Sequence, residues 1–325
     1  MLRRYSINEE VAEINVEIEG ESIAMKDNII YINGEFLNAE NATISVYDHG
    51  LLYGDGIFEG IRAYDGVVFQ LNEHINRLYQ SARSLYLNIP VNKKDMINLV
   101  LEVLRRNNLN NAYVRLVVTR GVGVLGIDPR TCRRPSIIII AESSPAVYEK
   151  GIADRGLRAK IVSVRRDAVD ATSHEIKSLN YVNSVMARIE ATLSGADEAV
   201  LLDPQGFVCE SPICNLFTVN GNRLTTPSVA SGILHGITRA KIMGIGDDMG
   251  LIVEERNITP YELINSDEVF LTGTHAEIAP IVMINDITIG NGTIGPKTCL
   301  LLQQFQQITR NPMYGVRIQE EEVSS

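Results

Sequence analysis

A two-domain α+β protein is the fold class this sequence predicts, on three observations. The 325 residues exceed what a single hydrophobic core usually serves. Hairpin turns and helical apolar spacing are mixed along both halves instead of separating into all-helix and all-strand blocks. Between the halves, SSPAVYEKGIADRG has proline and glycine near its two ends, as a connection does. The expected partition is a charge-rich extension over 1–27, a small α+β domain over 28–147 and an interdomain loop over 148–157. A large domain over 158–310 and a tail over 311–325 complete it.

The elements follow in chain order. NIIYINGEFL reads as a hairpin turning at Asn33-Gly34, and GIFEGIRAYDGVVFQL as another turning at Asp65-Gly66. NEHINRLYQSARSLYL spaces Ile75, Leu78, Ala82 and Leu85 as a helix, with Asn72 as its cap. A further helix precedes the strand AYVRLVVTR, the glycine-rich loop GVGVLGIDP and the buried strand SIIIIAE. The second half opens with the strand LRAKIVSV and the helix after His174, whose Leu179, Val182, Met186, Ile189 and Leu193 form an apolar stripe expected to face a core. Two hairpins follow, EAVLLDPQGFVCE and NLFTVNGNRLTTP, then a helix entering at GITRAKIMG. In TPYELI, Thr259, Pro260 and Glu262 occupy cap, first-turn and capping-box positions. The strand EVFLTG ends in a tight turn, and the tail IQEEEVSS has the composition of a disordered segment.

Composition narrows the function classes. With 45% hydrophobic and 22% charged residues the chain is ordinary for a globular protein. It has no apolar run of membrane-span length and no charged-then-apolar leader, so no membrane partner and a cytoplasmic location are expected. A net charge of −10 offers phosphodiesters no basic surface and argues against nucleic-acid binding. The four cysteines have neither zinc-ligand nor CxxC spacing, so free thiols and no metal are expected.

Taken singly, the chemical candidates are weak. Lys177 and Tyr181, four apart, point to roughly one side at a helix start, where a lysine is usually solvated. Glu210 follows a strand, where a carboxylate is usually solvated too. Gly236, Ile237 and Thr238 present free amides and the positive dipole end of a helix, which suits a phosphate. Thr272 and Thr274 flank a second turn, and Arg77 lies beside a helix stripe four residues after Glu73, as in a surface ion pair. A lysine, two anion-binding turns, an arginine, a tyrosine and a glutamate together are what pyridoxal phosphate would require.

Seven segments in fixed order carry a resemblance: YGDGIFEGIR, NEHINRL, AYVRLVVTRG, IKSLNYVNSVMA, ADEAVLLDPQGFVCESPICNLF, GILHGITR and DEVFLTGTHAEIAPI. Running from about Ile29 to Gln307, the chain resembles the branched-chain-amino-acid aminotransferases, class IV pyridoxal-phosphate enzymes of fold type IV. The resemblance implies a smaller N-terminal domain and a larger, barrel-like, cofactor-binding C-terminal domain, with the cofactor pyridoxal 5'-phosphate between them. It implies Lys177 as the Schiff-base lysine, Glu210 beside the pyridinium nitrogen and Tyr181 on the phenolic oxygen. Arg77, Ile237, Thr238 and Thr274 would bind the phosphate, and Leu234 would pack on the ring. The substrate pocket would comprise Tyr53, Phe58, Gly60, Arg62, Tyr113, Arg115, Thr274 and His275. Strand alternation independently puts Tyr113 with Arg115, and Phe58 with Gly60 and Arg62, on shared faces, where buried structural ion pairs are the alternative.

The implied reaction is transamination between branched-chain L-amino acids and 2-oxoglutarate, by a homodimer or higher homo-oligomer with sites near the subunit interface. GVGVLGID would be a loop near the site entrance. Other readings stand beside it: a D-amino-acid or (R)-amine transaminase, an aminodeoxychorismate lyase, and a non-catalytic phosphate-binding protein. Lyases of this fold tend to carry arginine where this chain has Tyr181. Three features depart from the usual pattern: SPIC after Glu210 replaces a glycine-rich turn, His275 stands where alanine or serine is common, and the N-terminal extension has no counterpart.

Overall fold

The computed structural model describes residues 28–143 and 154–319. The expected extension, most of the interdomain loop and the end of the tail lie outside the described residues. The small domain holds β1 (Ile29–Ile32), β2 (Glu35–Asn38), α1 (His49–Tyr53), β3 (Gly56–Tyr64) and β4 (Val67–Phe69). It continues with α2 (Leu71–Ser84), α3 (Lys93–Arg106), β5 (Ala112–Thr119) and β6 (Ser136–Ser143). Both hairpin turns form as the sequence implies, with positive φ at Asn33, Gly34, Asp65 and Gly66, the backbone a two-residue turn requires.

The large domain holds β7 (Leu157–Arg165), α4 (Val182–Leu193), β8 (Glu198–Leu202), β9 (Asn215–Asn220), β10 (Arg223–Thr226) and α5 (Ile237–Asp248). β11 (Ile252–Glu255), α6 (Pro260–Ile264), β12 (Glu268–Gly273), β13 (Glu277–Ile284), β14 (Ile287–Thr288) and α7 (Pro296–Thr309) follow. Its strands run β11-β10-β9-β12-β13-β7-β8, with β14 on β13. Bridges Leu202–Val208 and Glu210–Asn215 lead from β8 back to β9, which gives the barrel-like closure. The Thr259–Glu262 capping box is present in full at α6.

Three expectations are corrected. The segment expected as a tail contributes β15 (Gly315–Arg317), which pairs antiparallel with β4 and completes the order β15-β4-β3-β5-β6-β1-β2. The turn that leads into that strand, Pro312–Tyr314, also meets the start of α2. Gln70, not Asn72, is the cap residue, and its backbone N and Nε2 both donate to the Tyr314 carbonyl at 2.8 Å.

The third correction concerns α4. Its buried face is Ser184, Ala187 and Ala191, packed on Val162, Ala199 and Leu201 of β7 and β8. Val182 (74% exposed), Met186 (50%), Ile189 (41%) and Leu193 (69%), expected in a core, face outward with Val185. Small residues let the helix sit close on the sheet, so the bulky stripe is left on the other side.

Candidate active site

Between the two sheets lies a cavity of about 440 Å³. Its small-domain wall comes from β3 and β5, which pair in antiparallel register with Gly60 opposite Arg115 and Phe58 opposite Val117. Its large-domain wall comes from the α5 entry and the β12–β13 turn.

Lys177 precedes α4 in an irregular segment of turns and bends and is not helical, so helical spacing is not what joins it to Tyr181. Its carbonyl accepts from Phe58 N (3.0 Å) and its amide donates to Ser81 Oγ (3.2 Å), clamping the backbone between β3 and α2. Nζ then reaches into the cavity, 3.3 Å from the Tyr181 hydroxyl and 4.6 Å from the Phe58 ring centroid. Among the described residues no carboxylate forms an ion pair with this amine.

Anion-binding groups occupy one region of the lining. Arg77, Gly236, Ile237, Thr238, Thr272 and Thr274 all border the cavity. The α5 cap, Gly236, makes no side-chain cap hydrogen bond, and a side chain there would collide with Asn215 Oδ1. Thr272 Oγ1 is buried with no hydrogen-bond partner among the described residues, a cost that a ligand oxygen would remove. Arg77 does not pair with Glu73: it is buried and bonded to Glu59 and to the His235 carbonyl.

Glu210 is buried just behind the cavity. Arg166 Nη2 donates to its Oε1 (3.0 Å), Asn215 Nδ2 to its Oε2 (2.9 Å), and the Leu234 amide also donates to it. Burial pushes the Glu210 carboxyl up, while the Arg166 guanidinium opposes that shift. Asn215 Nδ2 also donates to the Leu234 carbonyl, so the carboxylate and the cavity-lining Leu234 are fixed to one another.

The remaining candidates divide. Phe58, Gly60, Tyr113, Arg115, Thr274 and His275 line the cavity. A Cβ at Gly60 would overlap the Tyr113 hydroxyl, so glycine is what lets that phenol lie across β3. Tyr113 stacks on His275 at 4.7 Å, accepts from Arg115 Nη2 at 3.1 Å, and Arg115 lies 4.5 Å over Phe58. Tyr53 is not in the lining: its hydroxyl accepts from Gly126 N and its ring meets His49. Arg62 is not in it either. It pairs with Glu277 (3.0 Å) and donates to the His275 carbonyl, a structural tie between β3 and the β12–β13 turn.

Sequence reasoning did not single out Glu59, His74 or Arg166. The available signal was a charge inside an apolar strand, as in GIFEGIR, which has to find a buried partner. Lysine amine, anion-binding amides and hydroxyl, and a buried carboxylate together fit a phosphate-bearing pyridine aldehyde.

The model of the class IV amino-transferase family matches residues 56–284. A Methanocaldococcus jannaschii protein provisionally named a branched-chain-amino-acid aminotransferase is 50% identical, over 90% of this chain and 99% of its own. The branched-chain-amino-acid aminotransferase of Pseudomonas aeruginosa is 36% identical, over 85% and 91% respectively. Among solved structures, a branched-chain amino acid aminotransferase from T.th. complexed with N-(5'-phosphopyridoxyl)-L-glutamate superposes with a TM-score of 0.86 at 34% identity, covering 91% of this chain and all of that one.

Proposed function

Because the chain belongs to the class IV aminotransferases, we propose that it transfers amino groups from leucine, isoleucine and valine to 2-oxoglutarate. One observation carries the reading: an amine with no ion-pair partner among the described residues faces anion-binding groups across a cavity walled by Phe58, Tyr113 and Tyr181. The cofactor is pyridoxal 5'-phosphate, which when bound supplies an electron-withdrawing ring that carries the amino group between substrates.

Lys177 Nζ is the covalent anchor and later moves the substrate's α-proton. Tyr181 holds the ring's phenolic oxygen beside it. Glu210, kept in place by Arg166 and Asn215, would pair with the ring nitrogen, and Leu234 would cover the ring. Arg77, the Ile237 and Thr238 amides and the Thr274 hydroxyl hold the phosphate, with Thr272 as an added donor. A donor panel with 2-oxoglutarate tests the reaction: leucine, isoleucine and valine should all form glutamate. Faster turnover of D-alanine or an (R)-amine would overturn the substrate reading.

One pocket has to accept both a branched side chain and glutamate's distal carboxylate. Apolar walls alone would reject the carboxylate. Arg115 resolves this, because aromatic faces and the Tyr113 hydroxyl hold its guanidinium and no carboxylate among the described residues pairs with it. A leucine side chain can lie on the rings, and a carboxylate can meet the cation. A charge-assisted bond of this type is worth roughly 1.5–3 kcal/mol, or about ten- to a hundredfold. Arg115→Leu should lower kcat/KM for glutamate by that factor and largely spare the branched-chain donors. Equal loss for all donors would assign Arg115 to the common α-carboxylate or to structure.

A homo-oligomer belongs to the same reading. The outward apolar face of α4 continues to Tyr181 and to the exposed Ile213 at the cavity, a surface that a second copy would cover. Met186→Asp with Ile189→Asp should give a smaller species by light scattering with its circular dichroism unchanged; an unchanged mass would argue against this face.

A further inference from the structure

Glu59 lies on β3 between Phe58 and Gly60, which line the cavity, so strand alternation turns it the other way, onto α2. It is fully buried. Its Oε1 accepts from Arg77 Nε and its Oε2 from Arg77 Nη2, both at 2.8 Å, and Oε2 lies 2.8 Å from His74 Nδ1. Burial pushes the Glu59 carboxyl up, but the Arg77 guanidinium and His74 together outweigh it and hold the carboxyl well below the usual carboxylate range. Burial pushes His74 the opposite way, down, so a neutral imidazole donating from Nδ1 fits the carboxylate beside it.

Arg77 is thereby gripped along one edge of its fork, and its Nη1 donates to the His235 carbonyl at 2.8 Å. Of five guanidinium N–H bonds three are used, and one on each Nη remains. Arg77 comes from the small domain, whereas the amides beside it in the cavity wall belong to α5 of the large one. A long arginine left unheld would spread over many rotamers and lose that alignment.

We infer that Glu59 is the positioning residue that presents Arg77 to the phosphate group, with His74 as its support. The inference rests on the pyridoxal 5'-phosphate reading and adds to it two residues that touch neither cofactor nor substrate. A purely structural ion pair would affect all ligands of the cavity alike. A residue acting through Arg77 affects only those that carry a phosphate.

The apoprotein is therefore titrated by visible absorbance with pyridoxal 5'-phosphate and with phosphate-free pyridoxal. Glu59→Gln should raise the Kd for the phosphate form about ten- to a hundredfold, the worth of a charge-assisted bond, and leave that for pyridoxal nearly unchanged. Equal weakening of both, or of neither, overturns the inference. If Glu59→Gln does not fold, His74→Leu keeps the ion pair and removes only the imidazole's hydrogen bond to the carboxylate. It should give the same selectivity with a smaller loss, roughly three- to tenfold, because the ion pair itself stays in place; no selective loss overturns the inference. A wild-type protein that develops no visible band would overturn the cofactor reading itself, a result distinct from a selective change that fails to appear.

Discussion

Lys177→Ala should bind pyridoxal 5'-phosphate yet transaminate at least about four orders of magnitude more slowly, the scale expected on removing a covalent catalyst. Binding should survive because the groups bordering the other side of the cavity, Arg77, the α5 amides and Thr272, do not depend on the lysine. Turnover should not survive, because among the described residues no second lysine borders the cavity to replace its amine. Its backbone is held on both sides, by Phe58 and Ser81, so truncating the side chain should leave the segment in place. Single-turnover kinetics with leucine separates the two effects. Near-normal turnover in this variant would remove Lys177 from the chemistry and with it the whole assignment.

Glu210→Gln should keep the shape of the site and slow the α-proton step by about 10²–10³-fold, the usual cost of losing one preorganised electrostatic partner. A carboxylate beside the ring nitrogen favours its protonated form, and a neutral amide does not. The same substitution leaves Arg166 buried with no counter-ion among the described residues, since its charge-paired bond is to Glu210 and its others are to Asn183, Ser184 and the Ser211 carbonyl. Stability should therefore fall by about 3 kcal/mol or more. Rates have to be measured well below the lowered Tm, with α-deuterated leucine. An unchanged rate and isotope effect would mean that Glu210 does not face the ring nitrogen, whatever happens to Tm.

The sequence by itself determined what near neighbours control. Asn33-Gly34 and Asp65-Gly66 turn because those residues accept positive φ, and Thr259 caps α6 because its side chain reaches an amide three residues on. The α5 entry and the strand alternation of Tyr113 with Arg115 were legible in the same way, whereas Lys177, Tyr181 and Glu210 stood out only through the family resemblance of the ordered segments that carry them. Only the tertiary structure decided which charge meets which. Arg77 meets Glu59, 18 residues away, and not Glu73; Glu210 meets Arg166 across 44; Arg62 ties to His275 across 213, outside the cavity. Periodicity showed that α4 has an apolar face but not what lies opposite it, and small Ala187 and Ala191 took the sheet side. Gln70, at the cap position of α2, is held by the Tyr314 carbonyl from the far end of the chain, just before β15 pairs with β4. Turns and caps are settled within about four residues by backbone sterics and a single hydrogen bond. Partners across tens or hundreds of residues are set by strand register and packing, which no local pattern encodes.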